Sequence, residues 1–239
     1  MMHYAEIFER RGREYHRAMC LAPEARRQEF AALFAKCPLR EGELVFDIPS
    51  GGGYLANFLS VDAVVRGFEF TRGFAEGGAR VALLDWEKPW EIGQADRIVS
   101  LAGLHHHPDP LAALAKLAQH VRADGWLHVA DVASGSRVGA WLNGFVDEHS
   151  EMGHAGIFLP TDRGAYPHAW EITRLELVQC PWRFDSTSTM AQFCRLMFGI
   201  ERASDQRILE ALRDVVGVRE LPHVVELEWE LIYLDACGA

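Results

Sequence analysis

Val45-Phe46-Asp47-Ile48-Pro49-Ser50-Gly51-Gly52-Gly53-Tyr54-Leu55 is the stretch that decides the fold. A short apolar run, LVFDI, reads as a strand and stops at three consecutive glycines; YLANFL then follows with helical spacing. Glycine permits backbone angles and a closeness of ligand approach that a Cβ would block. A helix starting behind such a turn offers unpaired N–H groups and partial positive charge, which suit an anion. Sixteen residues past Gly53, Glu69 ends the next apolar run. A carboxylate there can accept hydrogen bonds from both hydroxyls of a ribose. A triple-glycine turn alone is often just a tight connection. With strands on both sides and Glu69 in place, it predicts a nucleoside-containing ligand.

Outward from this segment, strands and helices alternate. AVVRGFEF, RVALLD, DRIVSLAGL and GWLHVADV read as strands, with TRGFAEGGA and DPLAALAKLAQHV as helices between them. Continuous apolar strands joined by amphipathic helices predict a parallel sheet covered on both faces. Upstream, residues 4–35 read as two helices, with Pro23 near the start of the second. After Asp131 the alternation breaks. Residues 136–150 look helical, 155–170 look like loop, RLELVQCPWRF reads as a strand, and AQFCRLMFGI and QRILEALRDVVG read as helices. HVVELEWELIYLDA alternates like one long strand at an edge or beside an antiparallel neighbour.

Composition narrows the class. The chain has 239 residues, 49% hydrophobic and 24% charged, and no apolar run long enough to span a bilayer. The five scattered cysteines form no CxxC and the N-terminus has no signal-peptide apolar region, so a cytoplasmic location with reduced thiols is expected. Lys and Arg number 24 against 34 Asp and Glu, a net charge of −10, which argues against a nucleic-acid partner. Residues 1–40, with eight basic and five acidic side chains, read as a solvated helical face.

Two cofactors fit the glycine turn. Gly-Gly-Gly-Tyr-Leu-Ala, residues 51–56, formally matches the dinucleotide pattern G-x-G-x-x-G/A. S-adenosylmethionine is the rival, and three features favour it. Asp47 precedes the glycines, where it would repel a pyrophosphate and attract an ammonium or sulfonium. Asp85 ends the third strand, where it could accept from the adenine amino group beside Trp86. The long closing strand also replaces a second mononucleotide-binding half.

At this point the sequence resembles the class I S-adenosylmethionine-dependent methyltransferases, in particular their small-molecule branch. VFDIPSGGGYL is similar to that family's D-x-G-x-G-x-G motif, GFEF to the motif with the ribose acid, and LLDW to the one with the adenine-contacting acid. DRIVSLAGLHHHPDPLAALAKLAQHVRADGWLHVADV is the nearest match, with its strand, LHHxxD turn, helix and turn into the fifth strand. Pro49 departs from the motif's first glycine and removes a backbone donor, and Asp124 replaces a turn glycine. The resemblance implies an α/β, Rossmann-like fold: a seven-stranded, mostly parallel sheet with helices on both faces, an antiparallel last strand beside the fifth and an N-terminal helical cap. It divides one domain, 1–239, into a cap (1–40), a cofactor half (43–132) and substrate-side insertions (133–239). It implies that Asp47, Gly51, Gly53, Glu69, Phe70, Asp85, Trp86 and Leu101 bind the cofactor.

For the acceptor, His106 and His154 are the candidate bases, because an imidazole takes a proton near neutral pH. Tyr15, His105 and Asp131 are candidate substrate contacts: Tyr15 from the cap, the other two from strand ends at the ligand edge. Plainer readings stand beside these, with Tyr15 as cap core, the histidine pair as turn support, Asp131 as a cap and His154 as surface. His105-His106-His107 raises the question of a metal. Consecutive side chains diverge, however, and no carboxylate or Cys is spaced to complete a tetrahedron, so no metal is expected. The expected activity is methyl transfer from S-adenosylmethionine to a small molecule, at O or C rather than N, with no nucleic-acid or membrane partner and with a homodimer left open. A nucleotide-dependent oxidoreductase using NAD or NADP, and a non-catalytic S-adenosylmethionine-binding protein, are the alternatives.

Overall fold

The computed structural model describes residues 4–74 and 81–237. The apolar runs become one sheet made of β1 (Leu44–Asp47), β2 (Val64–Glu69), β3 (Val81–Leu83), β4 (Ala95–Leu101), β5 (Val121–Asp131), β6 (Glu171–Gln179) and β10 (Glu230–Cys237). Their order is β3-β2-β1-β4-β5-β10-β6. The first five strands pair in parallel, and β10 runs antiparallel between β5 and β6. Because successive side chains in a strand point to opposite faces, each continuous apolar run feeds two cores. Val45, Leu231 and Tyr233 enter the core under the cap, while Phe46, Ile232 and Leu234 enter the opposite one.

Helices close both faces. α3 (Pro110–Ala118) starts at an Asp109 cap that accepts from the Ala112 N–H at 2.9 Å and has proline in its first turn. α1 (Tyr4–Leu21) and α2 (Arg27–Leu33) form the cap. α4 (Arg137–Trp141) continues through a widened π turn, Leu142–Val146, into α5 (Asp147–His149). α6 (Thr187–Phe198) and α7 (Asp205–Ala211) pack on the cap side. Among the described residues no helix is long and apolar enough to cross a membrane, and all five cysteines are free thiols.

Three expectations change. YLANFL forms only a single 3-10 turn, Leu55–Phe58, rather than a helix. Ten residues separate Gly53 from Val64, too few for a helix and the return to a parallel strand. α2 lies nearby instead, with Phe30 stacked on Phe58 at 4.4 Å. The closing segment is not one strand. It bends at Glu228-Trp229, where Trp229 N–H donates to Leu227 O and its carbonyl accepts from Cys180 N–H. Its first part becomes β9 (Val224–Leu227), the middle of a separate three-stranded sheet between β7 (Trp182–Phe184) and β8 (Val218–Leu221). Finally, RLELVQCPWRF is not one strand: β6 ends at Gln179, and β7 starts at Trp182 in the second sheet, while β10 has the antiparallel neighbours that its alternation suggested. The helix read over TRGFAEGGA falls partly on residues 75–80, outside the described residues.

α1 lies against the loop after β2 with backbone touching backbone. A Cβ on Gly12 would come within 2.2 Å of the Gly73 carbonyl oxygen, and one on Gly73 within 1.8 Å of the Phe8 oxygen. Glu9 fixes the contact by accepting from the Thr71 hydroxyl and from the Arg72 N–H. At the other end of the cap, the buried Arg26 guanidinium donates to both Glu29 oxygens, at 2.9 and 2.6 Å, and to the Tyr15 hydroxyl. Trp182 Nε1 and the Tyr233 hydroxyl donate to Glu29 as well, at 2.6 and 2.8 Å. The cap is thereby tied to both sheets.

Candidate active site

Gly51, Gly52 and Gly53 all have left-handed backbone angles, with φ of 56°, 92° and 81°, a conformation that side-chain-bearing residues rarely adopt. This turn brings the Gly51 N–H to Glu69 Oε1 at 2.5 Å. Glu69 is wholly buried. It also accepts from Ser50 Oγ at 3.4 Å and from its neighbour's N–H, that of Phe70, at 3.3 Å. The Tyr4 hydroxyl reaches it from α1, donating at 3.3 and 3.1 Å to its two oxygens. Four donors thus meet one buried carboxylate, and the phenol from the cap reaches both of its oxygens, as the hydroxyls of a vicinal diol would. Burial pushes the Glu69 carboxyl up to about 7 against the pull of these hydrogen bonds.

Asp47 lies beside it at the end of β1 and is buried. No hydrogen bond among the described residues reaches its carboxylate. Burial, and then the neighbouring Glu69, raise it well above the ordinary range. Two buried acids therefore share this edge of the sheet, and no cationic side chain among the described residues pairs with either. The turn leads into a single 3-10 turn, so no helix N-terminus stands here to receive an anion.

Outside this acidic corner opens a cleft of about 530 Å³, lined by Tyr4, Pro49, Phe70, Asp85, Trp86, Gly103 and His106 among others. Phe70 and Trp86 stack at 4.2 Å with 17° between their planes. Asp85 is held low by its hydrogen bonds to the Lys88 ammonium and the Glu87 N–H. Of the expected cofactor residues, Phe70, Asp85 and Trp86 line the cleft. Asp47, Gly51, Gly53 and Glu69 do not line it, and Tyr4 covers Glu69. Leu101 packs against the cap-side core instead, because the turn after β4 carries Gly103, not Leu101, to the cleft.

A second, smaller cavity of about 70 Å³ lies under the cap, lined by Arg11, Tyr15, Arg26, His105, His154, Trp182 and Trp229 among others. His106 is the one described residue lining both cavities. Tyr15, the substrate contact expected from the cap, sits here with its hydroxyl 3.3 Å from the position a Gly51 Cβ would take. Burial raises its pKa, and Arg26 pulls the other way.

Asp131 makes no contact with either cavity. It is wholly buried, and its oxygens accept from Leu104 N–H at 2.8 Å, Val132 N–H at 2.7 Å and His105 Nδ1 at 2.6 Å. The expected substrate contact is thus a support for the His105 ring. His154 arrives from the loop after α5. Its Nδ1 lies 2.9 Å from Asn143 Oδ1, and its N–H donates to Asp147 at 2.7 Å. The His154 ring stands 5.4 Å from His105 and 5.1 Å from His106. This third imidazole removes the ground on which no metal was expected. Sequence reasoning missed Tyr4, Arg11 and Asn143. Tyr4 and Glu69 are 65 residues apart, and nothing local to either marks the pairing.

No family model matches the chain, and no curated protein matches it. Solved structures do. An S-adenosylmethionine-dependent methyltransferase of Thermotoga maritima is similar over 99% of this chain and 100% of its own, with TM-score 0.59 and 21% identity. A Haloferax volcanii protein solved in complex with the Trm112 methyltransferase activator is similar over 97% of each chain, with TM-score 0.62 and 14% identity. Coclaurine N-methyltransferase, solved with S-adenosylhomocysteine and N-methylheliamine, is similar over 87% of this chain and 69% of its own, with TM-score 0.58 and 10% identity. At these identities the likeness establishes the fold, which is that of the class I S-adenosylmethionine-dependent methyltransferases.

Proposed function

We propose that the protein transfers a methyl group from S-adenosylmethionine to a small molecule. One observation carries the choice of cofactor: the glycine turn faces two buried carboxylates, Asp47 and Glu69, and leads into no helix. A pyrophosphate would hold both buried carboxyls in their protonated form and find no helix N-terminus to receive it. A cationic aminoacyl donor with a ribose finds a partner for each of its parts. Asp47 accepts from the ammonium side, Glu69 accepts the ribose hydroxyls once Tyr4 withdraws, and Phe70, Asp85 and Trp86 take the adenine. Bound S-adenosylmethionine supplies an electrophilic methyl group on its sulfonium.

The chain's own residues then bring the acceptor to it. The cavity under the cap is small and partly aromatic, which favours a small acceptor over a macromolecule. His106 stands between the two spaces. Burial keeps it neutral, well below its ordinary range, with His105 and His154 adding to the effect. Its lone pair meets the proton of a hydroxyl acceptor, and His154 lies beside it. Holding the acceptor roughly 3–3.5 Å from the methyl carbon supplies several kcal/mol of the barrier.

Thermal unfolding with S-adenosylhomocysteine, NAD and NADP tests the reading. S-adenosylhomocysteine at 100 times its Kd adds about 2.7 kcal/mol, a rise in Tm of roughly 5–10 °C for a chain of this size. A rise with NAD or NADP alone overturns it. Transfer of labelled methyl into a metabolite extract separates an enzyme from a protein that only binds the cofactor.

A further inference from the structure

Three imidazoles meet under the cap, and the hydrogen bonds around them determine which atoms are free. A ring nitrogen from each of His105, His106 and His154 lies within 4.8 Å of the other two. Asp131 already accepts from two backbone N–H groups, so His105 Nδ1 carries the hydrogen of their shared bond. Asn143 donates to the Gly156 carbonyl at 2.8 Å and accepts from the Gly156 N–H at 2.8 Å, which settles its amide orientation. Its Oδ1 therefore faces His154 Nδ1, which is also a donor. Both rings keep their lone pair on Nε2. The His106 ring makes no hydrogen bond among the described residues.

We infer that His105, His106 and His154 bind a divalent transition-metal cation of the Zn²⁺ class through one nitrogen each, with Asp131 and Asn143 orienting two of the rings. A histidine whose second nitrogen donates to a carboxylate or an amide oxygen is the usual companion of such ions. Around a tetrahedral Zn²⁺ with Zn–N near 2.0–2.1 Å, the nitrogens stand about 3.4 Å apart. The three must draw in by about an ångström, and the His106 ring, held by no hydrogen bond, is the one that can move. Arg11 lines the same cavity, and its buried Nε has no acceptor. Its charge opposes a bare cation and favours one carrying an anionic fourth ligand, hydroxide or an ionised hydroxyl.

The metal site stands without the methyl-transfer reading; only the identity of its fourth ligand as acceptor rests on that reading. With the ion bound, the lone pairs that would take the acceptor's proton hold the metal instead. The hydroxyl then ionises on the metal, and its proton passes to solvent.

The test uses the full chain stripped with a chelator and titrated, without cofactor, with Zn²⁺ and with Co²⁺, whose visible absorption reports its ligand geometry. One equivalent per chain is expected, with the Co²⁺ spectrum of a nitrogen-ligated four- or five-coordinate ion. His106→Ala and His154→Ala should each weaken uptake at least 100-fold, and Asn143→Ala about 10–100-fold. Melting in chelator shows that the variants fold. His106→Ala removes a ring with no hydrogen bonds and is the safer of the two. No stoichiometric uptake by the wild type, or equal uptake by folded His106→Ala and His154→Ala, overturns the inference. S-adenosylhomocysteine binding, measured on the stripped protein, fails or succeeds independently of this result.

Discussion

Glu69 is the residue on which the cofactor reading can be tested most directly. Removing its charge by Glu69→Gln should weaken S-adenosylhomocysteine binding by about 1–3 kcal/mol, read by calorimetry. Since burial raises its pKa to about 7, affinity should grow as pH rises through that value, and Glu69→Gln should flatten the profile. The effect on stability has the opposite slope. The folded chain keeps this proton where the unfolded chain has lost it, so stability from this group is full below pH 4.5 and is lost as pH rises to about 7. Tyr4→Phe deletes the hydroxyl that shares the carboxylate with any incoming ribose. The variant should bind S-adenosylhomocysteine several-fold more tightly and lose about 1.5–3 kcal/mol of ligand-free stability, as for other hydrogen bonds to charged groups. Glu69 was legible in the sequence because it ends an apolar run at a fixed distance from the glycines. Tyr4 was legible only as an apolar position of a helix, since its hydroxyl finds its partner through the tertiary fold.

At the scale of elements, the cap depends on a close approach at one end and an ion pair at the other. Gly12→Ala drives a methyl into the Gly73 carbonyl and should cost about 1–3 kcal/mol, as overpacking does. It should also make α1 more sensitive to limited proteolysis. Glu29→Ala leaves the Arg26 guanidinium buried without its carboxylate and should cost about 3–5 kcal/mol, measured by urea unfolding. The strands of the first half were legible because each is a local apolar run. The helix after the glycines and the single closing strand were misread for local reasons as well. Ten residues cannot hold both a helix and a crossover, and the bend at Glu228-Trp229 depends on partners at Gly217 and Cys180 that the segment itself does not reveal. The histidine cluster lay beyond sequence reasoning because its third ring comes from a loop held in place by Asn143, on the widened turn after α4.

Across the whole molecule, the cleft beside Trp86 and the cavity under the cap meet at His106, and the parallel half of the sheet places that residue at its carboxyl edge, where open α/β sheets gather their ligands. The alternation of strands and helices made this architecture readable up to Asp131. Beyond it, the insertions are organised by contacts with the cap that no periodicity encodes. The position of β10 carries a further consequence. It lies between β5 and β6, yet it is the last of the three to leave the ribosome. Until residue 237 has been translated, β5 and β6 each keep a bare row of amides and carbonyls where their common neighbour belongs. The nascent chain must therefore wait with an unfinished seam, and a stop codon placed before Glu230 would leave that seam permanently open to pairing with other chains.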